Sequence, residues 1–435
     1  MTLSPIKEDF LHFLWRTKKI APHHFVTTSG KKFEILDYGF YNLDAGPDFF
    51  NAKITIDDTI WAGNIEMHVF SSDWKKHRHQ HDKAYSNVIL HVVYEHDKEI
   101  LIDHNTDEIP TLELKGKIPK QYLDHYLTLM QSTQSIPCQG LIKYVNSDKI
   151  SLWKYSLTIE RLHQKSQLVQ EILDSTGHDW EETLYIMLAR FFGAKVNTEP
   201  FERLARSLPL SIVYKNKDKL SVLEALYFGQ AGMLAANYKD EYFTSLQKEY
   251  KYQQKKLGLR PIEAVSWKFS KLRPVSFPTI RIAQFAAFMH KVSFLFSQIR
   301  EADTGNQISN IMKCEAGAYW TNHYTFDTMS KPLKKVTGKD FVELLMINAV
   351  APVLYYYGKL NNEEKYIEKS IFILENIASE TNNIIRLWQS LGVQCQSAFD
   401  SQALIHLKNN YCHNLRCMQC KIGNEIMTGG TDLIK

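Results

Sequence analysis

Three residues of this 435-residue chain have the types and spacing of a hydrolytic metal site: Asp48, Glu66 and His68. Asp48 follows the turn residues Gly46 and Pro47, and Glu66 lies 18 positions further on. Glycine and proline punctuate a chain because one permits positive φ and the other fixes φ. Ala52-Lys53-Ile54-Thr55-Ile56 alternates apolar and polar residues and reads as a strand. Asp57-Asp58-Thr59 reads as a hairpin loop, and a second strand runs from Trp61 to about Phe70. Strand side chains alternate faces, so Asn64, Glu66 and His68 share one face. If the two strands pair, Asp48 comes to the same end of the sheet as Glu66 and His68. Two carboxylates and an imidazole suit a divalent ion such as Mg²⁺ or Mn²⁺. The plainer reading is a turn-forming aspartate and a solvent-facing strand glutamate.

A second cluster follows, His77, His79, His81 and His91, with Asp73 and Asp82 beside it. On a helix, His77 and His81 would share a face, whereas H-x-H spacing suits ligation from a strand. A zinc hydrolase built on this cluster requires at least three of the imidazoles to converge. An exposed polar helix carrying Lys75, Lys76 and Arg78 is the plainer reading, and those cations would equally suit a phosphate backbone. His91, inside an apolar strand, reads as a hydrogen-bonded core residue or one adjoining the site.

Cys412-x4-Cys417-x2-Cys420 lies on a short basic tail, with Cys395 upstream as a fourth thiolate. His406 or His413 would be a substitute for Cys395. Thiolates at this spacing suit Zn²⁺ or an iron–sulfur cluster, in a structural rather than a catalytic role. Free thiols on a tail are the alternative. Six cysteines in 435 residues are too few for a disulfide scaffold.

The elements that must position these groups change character along the chain. Ile6, Phe10, Phe13 and Leu14, with Trp15 at the edge, define an amphipathic helix over 5 to 18. Phe25–Thr28 and Lys32–Leu36 read as a hairpin, and Asn87–Tyr94 as a buried strand. Ile100–Asp103 and Thr111–Leu114 are weaker strands. From about residue 119 helical periodicity takes over, in 150–173, 181–193, 199–207, 219–236, 241–257, 279–301, 339–357, 362–378, 381–391 and 401–409. The expected fold class is α+β, an N-terminal α-β-β-β-α-β domain over 1–118 followed by a larger, mainly α-helical domain over 119–435.

Net charge is +4, so overall charge does not announce a nucleic-acid binder. No apolar run reaches the roughly 18 residues that span a bilayer. The acidic N-terminal stretch lacks the features of a signal peptide. The expectation is a cytoplasmic protein without a membrane partner. Lys268, Lys271, Arg273 and Arg281 flank an aromatic segment entering a helix at Thr279, and are the candidate nucleic-acid contacts. Tyr319, Trp320 and Tyr324 would either stack bases or pack a core, and packing is favoured.

Element order and motif together resemble the PD-(D/E)XK nuclease superfamily over residues 5 to 96. Pro47-Asp48 and Glu66-Met67-His68 stand at its motif positions, with His68 where the pattern has lysine. The resemblance implies a restriction-endonuclease-like domain in which Asp48 and Glu66 ligate Mg²⁺ or Mn²⁺ and His68 is a ligand or general base, with Glu34 a weaker acidic candidate. It also implies phosphodiester hydrolysis on DNA or RNA. The alternative is a non-catalytic nucleic-acid-binding or scaffold protein on the same fold. Nearly the whole chain resembles an uncharacterised bacterial family, through GPDFFNAKI, WAGNIEMHVFSSDW, NVILHVVYEHD, RPVSFPTIRIAQFA and YCHNLRCMQCKIG.

Overall fold

The computed structural model describes residues 5–20, 25–100 and 108–429. It is a mixed α+β structure of two compact units, one of residues 1–153 with 407–435 and one of 154–406. The first holds the sheet. Helix α1 (Glu8–Arg16) comes first, with Phe10, Leu11, Phe13, Leu14 and Trp15 buried. The strands are β1 (Phe25–Val26), β2 (Lys32–Asp37), β3 (Phe40–Tyr41), β4 (Phe49–Ile56), β5 (Thr59–Phe70), β6 (Val88–Glu95) and β7 (Thr111–Glu113). Their order in the sheet is β1-β2-β4-β5-β6-β7, with β3 also paired to β4. Strands β1 to β5 pair antiparallel, and β5, β6 and β7 run parallel to one another. Of the expected strand at Ile100–Asp103, residues 101–103 lie outside the described residues.

Two irregularities set the register. Asn51 takes φ 58°, a left-handed conformation that asparagine tolerates. The β4–β5 register shifts there, between Phe49 and Ala52, and Phe49 falls opposite Ile65. That bulge brings the turn residue Asp48 beside Glu66. The second is at Gly63, where the start of β6 comes close to β5.

Between β5 and β6 the expected single helix is broken. Helix α2 is only Asp73–Lys76, Arg78 adopts φ 62°, and two short 3-10 turns follow at His79–His81 and Lys83–Tyr85. The Asp73 carboxylate accepts the Phe70 N–H at 3.0 Å, and Asp82 accepts the Ala84 N–H at 2.9 Å. Helix α3 (Lys120–Met130) belongs to the same unit, and helix α4 (Ser147–Ser175) leaves it.

The second unit is helical around one apolar core that includes Phe192, Tyr227, Phe285, Phe288 and Trp320. Its helices match the expected periodic runs with local departures. The run 279–301 is divided at Phe294, whose φ is 51°, into Pro278–Lys291 and Leu295–Glu301. A small hairpin, His323–Thr325 with Thr328–Met329, is one that periodicity did not reveal. The continuous helix Lys339–Asn361 is long and apolar enough to cross a membrane by composition, and 72% of its apolar window is buried within the protein. Trp320 is fully buried, and the Tyr319 hydroxyl donates to Asp240 at 2.6 Å. These aromatics are core and support residues rather than an open stacking platform.

Glu224 gives this core a titration signature. It is 3% exposed and accepts the Trp320 Nε1–H at 3.2 Å. Burial pushes its carboxyl from the ordinary 4.5 up to about 7. A folded-state pKa above the unfolded value contributes stability below about pH 4.5 that is lost as pH rises through 7. Glu224→Gln is therefore expected to match the parent near pH 4.5 and to exceed it by roughly 2–3 kcal/mol at pH 8.5. Urea denaturation at both pH values checks this, and equal offsets at the two would refute it.

Candidate metal centre

Asp48 and Glu66 meet at the junction of β4 and β5. The Asp48 N–H donates to Glu66 Oε2 at 3.2 Å, and the Met67 N–H donates to Asp48 Oδ2 at 2.9 Å. From α1, His12 Nε2 reaches Asp48 Oδ2 at 3.1 Å. Burial alone would lower the His12 pKa, but the carboxylates of Asp48, Glu8 and Glu66 outweigh it and raise it. Burial, then the negative charge of Asp48, holds Glu66 well above the carboxylate range. Glu8, one turn before His12, is also raised, first by burial.

The other oxygen of Glu66 faces imidazoles. Oε1 lies 3.3 Å from His79 Nε2 and 3.6 Å from His68 Nε2. His68 Nε2 is in turn 3.1 Å from His77 Nδ1 and 3.3 Å from His79 Nε2. Ligand nitrogens of His68, His77 and His79 all lie within 4.8 Å of one another. Behind them His91, opposite Glu66 in the parallel β5–β6 register, places Nε2 2.8 Å from His68 Nδ1. Trp74 walls the group, and Tyr85 stacks on His79 at 3.8 Å between centroids.

The buried rings of His68, His79 and His91 are uncharged near neutral pH. Burial, then the neighbouring imidazoles, lowers His68 to about 2, and burial first lowers His91 to about 3 and depresses His79. A neutral imidazole carries one N–H and one lone pair. His68 spends one nitrogen on His91, so its Nε2 meets two further nitrogens that a single proton cannot both satisfy. A cation accepts all three lone pairs, and the donor set fits one. The His68–His91 contact at 2.8 Å is of the kind that would fix the orientation of a ligating ring. His68 and His79 are buried and His77 is exposed, so the group opens to solvent on one side.

The broken helix explains which histidines converge. With Arg78 left-handed, His77 and His79 turn to one point although they are two residues apart, while His81 is exposed. Helical spacing would have paired His77 with His81. Glu34 stands on β2 opposite Thr55, beyond β4 from Glu66. Sequence reasoning missed Glu8 and His12. Their signal was an i, i+4 polar pair on the rim of an otherwise apolar helix.

A family model described as "Protein of unknown function (DUF2851)" matches residues 8–383. The chain belongs to that family. No curated protein and no solved structure matches the chain. Within this DUF2851 chain the match takes in α1, every strand of the sheet and most of the helical unit.

The remaining candidates separate. Lys268, Lys271 and Arg273 are exposed on a loop whose Lys268 backbone is held by Asn197 at 2.9 Å through both its N–H and its carbonyl. Arg281 is turned inward: its guanidinium lies 3.5 Å from the Phe341 ring centre, and Nη1 donates to Gln284 at 2.9 Å. Burial lowers its pKa to about 10. It is a packing residue on the first turn of its helix, and only the other three are presented to solvent. Of the cysteines, Cys412, Cys417 and Cys420 lie in the sheet-bearing unit, whereas Cys395 lies in the helical unit with Asp400 and Lys154 as charged neighbours. His406 is occupied with Glu160 at 3.1 Å, and His413 is exposed. A fourth cysteine of the sheet-bearing unit is Cys138, which is also buried.

Proposed function

We propose that this protein is a divalent-metal-dependent nuclease, hydrolysing phosphodiesters of DNA or RNA on a restriction-endonuclease-like sheet. The observation that carries the proposal is Glu66, whose carboxylate accepts the Asp48 backbone N–H at one oxygen and faces the imidazoles of His68 and His79 at the other. Asp48, Glu66, His68, His77 and His79 are the residues that would hold the ion. Three nitrogens and carboxylate oxygens suit Mn²⁺ or Zn²⁺ better than Mg²⁺, which prefers an all-oxygen shell. Bound there, a divalent ion supplies Lewis acidity toward water and toward phosphate oxygens.

The chain's own groups supply the rest. His68 stands where the superfamily has lysine, and being neutral it donates a lone pair rather than a charge. His12, 3.1 Å from Asp48, would be the group beside the ion able to carry a proton in place of that lysine. Lys75 and Arg78, exposed on either side of His77, favour a polyanionic substrate. Helix α1, the antiparallel strands β2, β4 and β5, and the parallel β6 support this reading, while the helix that the superfamily has before its last core strand is here only Asp73–Lys76 and two 3-10 turns.

Cleavage of single- and double-stranded DNA and RNA is the test, with Mn²⁺, Zn²⁺ or Mg²⁺ added to metal-stripped protein. The parent is expected to cleave with Mn²⁺ or Zn²⁺, and Asp48→Ala and His77→Ala to lose about 10²-fold or more. A folded, metal-loaded parent that binds these nucleic acids without cutting any would move the reading to a binding or scaffold protein.

A further inference from the structure

Four of the six cysteines collect in the sheet-bearing unit, away from the histidines. Cys138 sits in the turn after α3, where its carbonyl accepts the Leu141 and Ile142 N–H groups, each at 2.9 Å. Cys412 ends the helical turn Leu407–Cys412. Cys417 opens a single 3-10 turn, closed by the Cys420 N–H donating to the Cys417 carbonyl at 3.2 Å. Cys420 then precedes the C-terminal helix Lys421–Thr428 and accepts the Asn424 N–H at 2.8 Å.

The backbone around these thiols is closely fitted. A Cβ on Gly423 would stand 2.1 Å from the Cys417 carbonyl oxygen, so glycine alone lets the helix lie on the Cys417 turn. Arg16 of α1 donates to the Met418 carbonyl at 3.2 Å, and Lys149 pairs with Glu425 at 2.5 Å. The C-terminal helix packs on α3 and on the Ile142–Tyr144 turn, the two elements flanking Cys138. All four cysteines are buried and none is in a disulfide.

We propose that Cys138, Cys412, Cys417 and Cys420 form a closed tetrathiolate centre for a structural soft metal, a Zn²⁺ ion or an iron–sulfur cluster. The C-x-x-C turn and four protein sulfurs with no open position are the donor set of such centres. Their electrostatics agree. Burial, then Cys420, Cys412 and Cys417 in that order, holds the Cys138 thiol well above its ordinary range. Burial, then Cys420, raises Cys417 to about 12, and burial, then Cys420 and Cys417, raises Cys412. Gathered thiols resist ionising together, and a cation among them reverses that preference and ties metal affinity to folding. Among the described residues only the histidine trio has three ligand atoms within 4.8 Å of one another. The four thiols lie farther apart than that, within one buried region between the C-terminal helix, α3 and the Ile142–Tyr144 turn. The centre would fasten the returning C-terminal stretch, and it is independent of the nuclease reading.

The test is metal analysis of the full chain purified without oxygen, carrying Asp48→Ala and His77→Ala so that the histidine site contributes none. One zinc per chain, or iron with acid-labile sulfide and visible absorbance, is expected and separates the two sources. A thiol-blocking mercurial should release the metal with four thiols consumed. Cys138→Ser should lose the metal and Cys138→His retain zinc, while Cys395→Ser and Cys314→Ser keep full content. Should Cys138→Ser fail to fold, the mercurial release still decides. A folded chain with no thiol-dependent metal, or with a disulfide between any two of the four, overturns the proposal, as does loss of metal in Cys395→Ser.

Discussion

Glu66→Gln is expected to lose about 10³-fold in metal-dependent cleavage and at the same time to make the metal-free protein more stable. The two effects share one cause. Glu66 is a 5% exposed carboxylate held between Asp48 and two uncharged imidazoles. Without a cation its ionised form is penalised by burial and by Asp48, which is why its pKa is raised. The folded state therefore binds a proton that the unfolded state has released, and stability declines as pH rises from the ordinary carboxylate range toward the raised value. Glutamine keeps the shape and removes the titration. Its gain in chelator should be absent at pH 4 and reach roughly 2–4 kcal/mol at pH 9. On the proposed nuclease reading activity moves the other way, since removing what would be a charged ligand would forfeit several kcal/mol of transition-state stabilisation, at about 1.4 kcal/mol per decade. Urea midpoints in chelator across pH, beside turnover with Mn²⁺, check both. A variant that is less active and also less stable at pH 9 would make Glu66 a structural residue.

The same buried carboxylate shows how far the sequence was legible. Alternation along β5 put Glu66 and His68 on one face, and the Gly-Pro-Asp turn put Asp48 at the strand end; both follow from period-2 geometry. Which histidines would join them did not follow, because that depends on one residue, Arg78, leaving the helical region. No propensity marks an arginine for φ 62°. Glu8 and His12 were visible only as the polar rim of an apolar helix, and their relation to Asp48 depends on where α1 lies against β5. Cys138 was hidden for a related reason. It lies more than 270 residues before the tail cysteines in sequence, whereas Cys395 is near them in sequence but falls in the other unit. In the helical unit periodicity located most helices, and the break at Phe294 again turned on one non-glycine residue with positive φ.

Gly63→Ala is expected to destabilise the sheet-bearing unit by about 3 kcal/mol, the upper end for overpacking, and to weaken metal binding as well. A Cβ at residue 63 would stand 2.5 Å from the Asn87 carbonyl oxygen and 2.5 Å from Ile89 Cγ2. The oxygen cannot simply retreat, because it accepts the Asn64 N–H at 2.8 Å and so opens the parallel pairing of β6 with β5. Relief must come from moving the start of β6. Three residues on, that pairing sets Glu66 opposite His91, whose contact with His68 Nδ1 aims the other face of the ring at His77 and His79. A shift of a few tenths of an ångström would misdirect imidazoles that, as proposed, converge on one ion. Gly140→Ala is the control, since nothing lies within 4 Å of a Cβ there. It should stay within about 0.5 kcal/mol of the parent. Urea unfolding and Mn²⁺ titration of both variants measure the two effects separately. Equal behaviour of the two alanines would mean that β6 can move without cost, and the register argument for the site would fail with it.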